Sequence, residues 1–329
     1  MNTSLISIVV PAYNIAPYLP RCLESLTAQA HRHLEIIVID DGSTDETGAI
    51  IDDWAGKDSR IKAIHKENGG VSSARLAGIA AAKGEWIGFV DGDDFAEPEM
   101  FAHLLKNALE HDVDISHCGY QMIFPDGHID MYYNTGRKDL FDHDTGLEAL
   151  IRGEYLEPGL WNKLFRRQLF DGLTDWLDQS IRINEDLLMN YYLFSRAEFS
   201  YYEDLPLYHY MLRKGSASTS KPQRFKITDP VRVMASILAE TVGKPALYRA
   251  AAERYLRVLI GTAQQRAWPD EAVAARQKLK DSLRRFRSVN VSEKVRLMAF
   301  GMAYLTPLYL LVRRIYDRVT GINKKYDLE

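Results

Sequence analysis

Ile36-Ile37-Val38-Ile39-Asp40-Asp41-Gly42-Ser43-Thr44-Asp45 and Trp86-Ile87-Gly88-Phe89-Val90-Asp91-Gly92-Asp93-Asp94 share one pattern, an apolar run that empties into an acidic turn. Short continuous apolar runs bounded by turn residues are strands buried on both faces, as in a parallel sheet covered by helices. Open α/β sheets bind ligands beyond the carboxyl ends of such strands. Here those ends carry Asp40, Asp41, Asp91, Asp93 and Asp94. Carboxylates crowded this closely repel one another unless a cation neutralises them, and oxygen donors suit a divalent metal. A metal on oxygen ligands beside a nucleotide-sized crevice predicts chemistry on a diphosphate.

Around these two turns the chain alternates strand and helix. Ile6-Ser7-Ile8-Val9-Val10 is a strand ended by Pro11, and residues 18–28 have helical spacing at Leu19, Cys22, Leu23 and Leu26. A helix over 44–54, a strand over 60–64 and an alanine-rich helix over 72–83 follow, with Gly84 as its stop. Pro98 opens another helix, and Asp114-Ile115-Ser116-His117-Cys118 returns to the sheet. This rhythm predicts a right-handed, mostly parallel sheet flanked by helices. From Phe124 the rhythm breaks into a hairpin or long loop, a helix over 144–153, a helix opened by Asn184-Glu185-Asp186, and strand-like pieces at 199–202 and 207–210. Beyond Phe225 the pattern is almost wholly helical, which places a domain boundary between 1–225 and 226–329.

Composition narrows the class. With 329 residues, 46% hydrophobic and 26% charged, the chain has the profile of an ordinary folded protein of one or two domains. A net charge of −4 gives no global reason to expect nucleic acid. Cys22 and Cys118 are the only cysteines, too few and too distant for a disulfide framework or a zinc site, so small buried residues in a reducing cytoplasm are expected. Met1-Asn2-Thr3-Ser4 runs straight into a strand without the basic and apolar regions of a secretory signal. The first strand leads into Pro11-Ala12-Tyr13-Asn14, not a dinucleotide fingerprint, and no glycine-rich loop ends in Lys-Ser or Lys-Thr. A kinase, an ATPase and a dehydrogenase are therefore disfavoured.

The ordered motifs Val9-Val10-Pro11-Ala12-Tyr13-Asn14, Asp40 to Asp45, Asn68-Gly69-Gly70-Val71-Ser72-Ser73-Ala74-Arg75, Asp91-Gly92-Asp93-Asp94, Trp161-Asn162-Lys163-Leu164, Glu185-Asp186 and Arg213 to Ser218 are spread over about two thirds of the chain. Together they resemble the inverting GT-A glycosyltransferases of family 2 that build bacterial capsule, exopolysaccharide and O-antigen. The resemblance implies a UDP-sugar donor and a Mn²⁺ or Mg²⁺ ion. Pro11, Tyr13, Asp41, Asn68, Arg75, Asp91 and Gly92 would then receive the nucleotide, with Asp41 accepting from the uracil N3–H or the ribose. Helix capping by Ser43, Thr44 or Asp45 explains the same turn without a ligand, and a surface ion pair explains Arg75. Leu76 departs from the asparagine that the family often places after this arginine.

By the same resemblance Asp91 touches the ribose, Asp93 holds the metal and Asp94 lines the sugar or acceptor side. Asp186 is the general base, and its neighbour Glu185 disfavours ionising both, which lifts one pKa towards neutrality. Arg213, Ser216 and Ser218 close over the diphosphate, with Met211 standing where a second basic residue is frequent. Trp161 either stacks on a sugar face or fills the core. His209 reads as structural, on a tyrosine-rich strand.

The segment 284–329 carries ten Lys or Arg against four Asp or Glu, so it is +6. These charges flank the apolar run 297–312, which fits a helical pair lying on an anionic membrane surface or an oligomer-docking helix. The expected whole is a cytoplasmic enzyme, peripheral on the inner face of the plasma membrane, that transfers a hexose or N-acetylhexosamine to a glycan or lipid-linked acceptor. A sugar-phosphate nucleotidyltransferase is opposed by the missing glycine-rich first loop. A non-catalytic sugar-nucleotide-binding scaffold is opposed by the intact Asp93 and Asp186.

Overall fold

The computed structural model describes residues 4–131, 134–153, 155–213 and 223–320. The chain divides into two compact units, Met1–Leu147 with Tyr155–Arg213, and Glu148–Glu154 with Lys214–Glu329.

The first unit is built on one mixed sheet. Strands β1 (Ile6–Ala12), β2 (Leu34–Asp40), β3 (Ile61–His65) and β4 (Trp86–Phe89) are parallel, in the spatial order β3-β2-β1-β4. Helices α1 (Leu19–Thr27), α2 (Thr47–Lys57) and α3 (Val71–Ala81) make the crossovers. Alternation along β1 sorts its side chains between two faces. Ile6, Ile8 and Val10 pack with Leu19, Cys22, Leu23 and Leu26 of α1 in the main core. Val9 points the other way, towards α3, where Gly78 lets the helix approach so closely that a Cβ would lie 2.4 Å from Val9 Cγ1 and 2.8 Å from Ile39 Cδ1.

Past β4 the sheet departs from the parallel rule. β9 (Lys163–Arg166) runs antiparallel between β4 and β6 (Ile115–Ile123), and β10 (Phe199–Met211) lies parallel to β6. The two strand-like pieces expected at 199–202 and 207–210 are this one strand, whose register shifts between Glu203 and Tyr208 around Pro206, a residue with no N–H to give the ladder. β5 (Phe95–Ala96) and β8 (Lys138–Asp142) pair antiparallel with β10, and β7 (Ile129–Met131) makes the expected hairpin with β6. Helices α4 (Met100–Glu110), α5 (His143–Arg152) and α7 (Glu185–Phe194) stand near the sequence expectations, and the short α6 (Leu173–Trp176) comes between the last two in the chain.

α2 starts at Thr47, not at Thr44. Residues 43–45 bond to the turn after β1: Ser43 Oγ accepts from Asn14 N–H at 3.1 Å, Thr44 N–H donates to Asn14 Oδ1 at 2.8 Å, and Asp45 Oδ2 accepts from Ala16 N–H at 3.2 Å, while Asp45 Oδ1 accepts from Thr47 N–H at the start of α2 at 3.0 Å. Thr47 Oγ1 accepts from Ile15 N–H at 2.9 Å. The turns after β1 and β2 are thereby tied to each other.

The second unit is helical: α8 (Phe225–Glu240), α9 (Pro245–Ala263), α10 (Pro269–Arg285), α11 (Glu293–Tyr304) and α12 (Thr306–Thr320). Val233, Ile237, Leu256, Leu259, Leu279 and Met302 fill its interior. Each such side chain contributes about 1.5–3 kcal/mol relative to exposure. Among the described residues no helix is long and apolar enough to cross a membrane.

Candidate active site

The carboxyl ends of β1, β2 and β4 and the start of α7 bring most of the sequence-selected residues into contact. Asp41, directly after β2, is buried and organises the loop beyond β3. Its Oδ1 accepts from Lys66 Nζ at 2.6 Å and Gly69 N–H at 3.0 Å, its Oδ2 from Gly70 N–H at 2.7 Å, and its backbone oxygen from Asn68 Nδ2 at 2.9 Å. Gly70, at φ +84°, precedes α3 in a conformation that other residues rarely adopt. Tyr13 lies half exposed at the end of β1, and Gly92 packs so closely that a Cβ would lie 3.1 Å from Pro11 O.

Arg75, on α3, is the centre of the arrangement. It is 5% exposed, and its two terminal nitrogens diverge. Nη1 donates to Glu185 Oε1 at 2.8 Å and Nη2 to Asp91 Oδ1 at 3.2 Å. The turn after β4 and the first residue of α7 are therefore held by one guanidinium. Burial pushes the Asp91 carboxyl up, and Asp93 and Asp186 add to that, while Arg75 pulls it down. Glu185 is pushed up to about 7, first by burial and then by the charge of Asp186, against the pull of Arg75.

Asn184, left-handed at φ 63°, turns the chain into α7, so Glu185 points inward while Asp186 stays half-buried. Asp186 Oδ1 accepts from Leu187 N–H at 2.7 Å, in the first turn, where the helix dipole favours a carboxylate. Asp93 is also partly exposed, and Arg213 Nε donates to its Oδ2 at 2.7 Å. The Arg213 guanidinium lies 4.9 Å from the Tyr18 ring centre.

The sequence model of Glycosyl transferase family 2 matches residues 7–173, just over half of the chain. The chain belongs to glycosyl transferase family 2. It is similar to the uncharacterized glycosyltransferase EpsJ of Bacillus subtilis, 37% identical over 208 residues, which is 63% of this chain and 60% of EpsJ. It is also similar to the putative glycosyltransferase EpsH of that organism, 34% identical over 224 residues, 66% of this chain and 63% of EpsH. The match thus reaches less than two thirds of either relative's length. Among solved structures, TarS 1–349 of S. aureus in complex with UDP-GlcNAc superposes with a TM-score of 0.74, covering 95% of this chain and 91% of that one at 20% identity. That likeness shows the GT-A fold.

Within this family 2 chain, Asp94 turns away from the other acidic residues. It is buried, its Oδ2 accepts from Tyr208 Oη at 2.7 Å and its Oδ1 from Met211 N–H at 2.7 Å, and burial with the charges of Asp93 and Asp91 raises its carboxyl well above the usual range. Trp161 stacks on Tyr208 at 4.5 Å between ring centres and meets Tyr120 edge-on at 4.7 Å, inside the core. His209 stacks on Phe95 at 4.2 Å, with Nε2 2.6 Å from Glu97 Oε1. Ser216 and Ser218 lie outside the described residues.

Two residues of this family 2 site escaped sequence reading. Tyr208 bonds Asp94 and also accepts from Asp91 N–H at 3.2 Å, so it props the acidic turn from below. Lys66 neutralises Asp41. A lysine in the loop that closes on an acidic strand end was the available signal for the second, and nothing local announces the first.

Proposed function

We propose that this chain is a metal-dependent, inverting hexosyltransferase. It moves a hexose or N-acetylhexosamine from a UDP-sugar to a hydroxyl of a lipid-linked glycan acceptor in cell-surface polysaccharide synthesis. Residues 1–225 form the catalytic domain in this reading, and 226–329 a helical region that meets the inner face of the plasma membrane. The observation that carries it is the Arg75 bridge between Asp91 and Glu185, which sets the turn for the nucleotide beside the start of α7, where Asp186 follows Glu185.

The nucleotide is received by Pro11, Tyr13, Asp41, Asn68 and Asp91. Asp41 Oδ2 has two lone pairs, one of them used by Gly70 N–H, so a base N–H can be added there. The donor set fits Mn²⁺ or Mg²⁺: Asp93 and Asp91 offer hard carboxylate oxygens whose mutual repulsion a cation relieves. Among the described residues no group of three or more His, Cys, Asp or Glu is placed to hold a metal ion, so phosphate oxygens and water would have to complete the coordination. When bound, a metal held there would neutralise charge on the departing diphosphate. Arg213 offers a planar fork to phosphate on leaving Asp93, and Ser216 and Ser218 follow it in the chain.

Asp186 takes the proton from the acceptor hydroxyl oxygen, on the face opposite the leaving group. Its neighbour Glu185 is pushed up to about 7, first by burial and then by the charge of Asp186, so the two carboxyls need not carry charge together.

Calorimetric titration of UDP, GDP and TDP, each with Mn²⁺ and with EDTA, tests the donor half of the proposal. Binding of UDP that EDTA abolishes is expected. Binding of no nucleotide under either condition would leave a scaffold as the better reading.

A further inference from the structure

α12 buries none of its side chains, although its sequence is rich in large apolar residues. Leu308, Leu311, Val312, Ile315 and Val319 are each more than half exposed. At the 3.6-residue helical period they fall on one side, bordered by the exposed Arg314 and Arg318. Tyr309, on the opposite side, packs on Gly301 of α11, 3.1 Å from where a Cβ would stand. α11 presents a stripe of its own, with Leu297 71%, Phe300 49% and Tyr304 46% exposed. Soluble surfaces rarely leave apolar patches of this extent uncovered.

We propose that this α11–α12 face docks on an anionic bilayer. Leu311 and Ile315 enter the boundary between headgroups and acyl chains, and Arg314 and Arg318 pair with lipid phosphates. The rim chooses between occupants. Asp317, the one acid in the α12 sequence, is held by Arg313 at 2.7 Å. A second copy laid face to face would set arginine against arginine, whereas an anionic bilayer matches both the apolar centre and the basic border. Docking here deepens the lipid-linked acceptor reading and rests on it for its purpose.

The test is co-sedimentation of the full chain with vesicles of pure phosphatidylcholine and of about three parts phosphatidylcholine to one part phosphatidylglycerol. Preferential binding to the anionic vesicles is expected. The pair Leu311→Glu and Ile315→Glu should cut that binding by about tenfold or more, and the pair Arg314→Gln and Arg318→Gln by roughly fivefold per arginine, with salt doing the same. Circular dichroism checks that each variant is folded. Equal binding by the glutamate variant, or no binding by the parent chain, overturns the proposal. So does a dimer in sedimentation equilibrium that the glutamates dissolve while vesicles go unbound. UDP titration without vesicles separates the two failures: a chain that binds UDP but no vesicle loses the docking face alone, and one that binds vesicles but no nucleotide loses the transferase reading alone.

Discussion

Arg75 and Glu185 meet at 2.8 Å across 110 residues of sequence, and both are buried. A guanidinium can serve two carboxylates at once because its donors are fixed in a plane and diverge, a geometry that lysine lacks. The contact therefore does more than neutralise charge: it sets the distance between the start of α7 and the turn after β4.

Arg75→Lys should keep the fold and lose transfer by about 100-fold, since small displacements of reacting groups carry penalties of that order. Arg75→Ala should also destabilise by about 3–5 kcal/mol, because the buried Glu185 and the partly exposed Asp91 lose their counter-charge. Urea unfolding and a sugar-nucleotide turnover assay on both variants distinguish the two effects. Unchanged turnover in Arg75→Lys would show that the spacing is not needed.

Asp186→Asn should bind UDP as the parent does and lose transfer, because the amide cannot take the acceptor's proton. Asp93→Ala should instead weaken UDP binding in Mn²⁺ while leaving the residual binding in EDTA unaltered. Titration calorimetry with single-turnover kinetics reads both. Full transfer by Asp186→Asn would remove the assigned base.

Glu185 makes stability depend on pH in a stated direction. Its folded pKa, about 7, lies above the ordinary 4.5. The protonated folded form is thus favoured, and the stabilisation is complete below the unfolded pKa and disappears as pH rises through 7. Glu185→Gln has no such slope. The melting temperature of the variant minus that of the parent should therefore grow from about pH 6 to pH 8, by the equivalent of about 1–3 kcal/mol. A constant difference across that window would mean that Glu185 is ionised throughout.

Gly78→Ala tests the seat of α3 on the sheet. The added methyl collides with Val9 and Ile39, two immobile β-branched residues, and should destabilise by about 1–3 kcal/mol despite the better helix propensity of alanine. Combining it with Val9→Ala should recover part of that loss in thermal unfolding. A simple sum of the two losses would place the strain elsewhere.

Local pattern was enough for the strands that lead into Asp41 and Asp91, because a run such as Ile36–Ile39 carries its burial in its own composition. The order of parallel strands followed from the alternation with helices. The antiparallel β9 did not, since Lys163–Arg166 is four residues long and its place between β4 and β6 is decided by partners far away in sequence. The same limit applies within the site. Asp91, Asp93 and Asp94 look alike on paper, yet Tyr208, 114 residues further on, draws Asp94 inward while its neighbours stay partly exposed. The acidic turn was legible from sequence, but not the division of labour inside it.

The bonds that join residues 14–16 to residues 43–47 make these two turns a single heritable part. A recombination event that replaced one turn alone would strand backbone donors against side chains of the wrong length. Divergence at this floor has to proceed in step, as covariation between the two segments. An engineer seeking another base preference would have to graft both turns together, even though Tyr13 on its own looks like the convenient place to start.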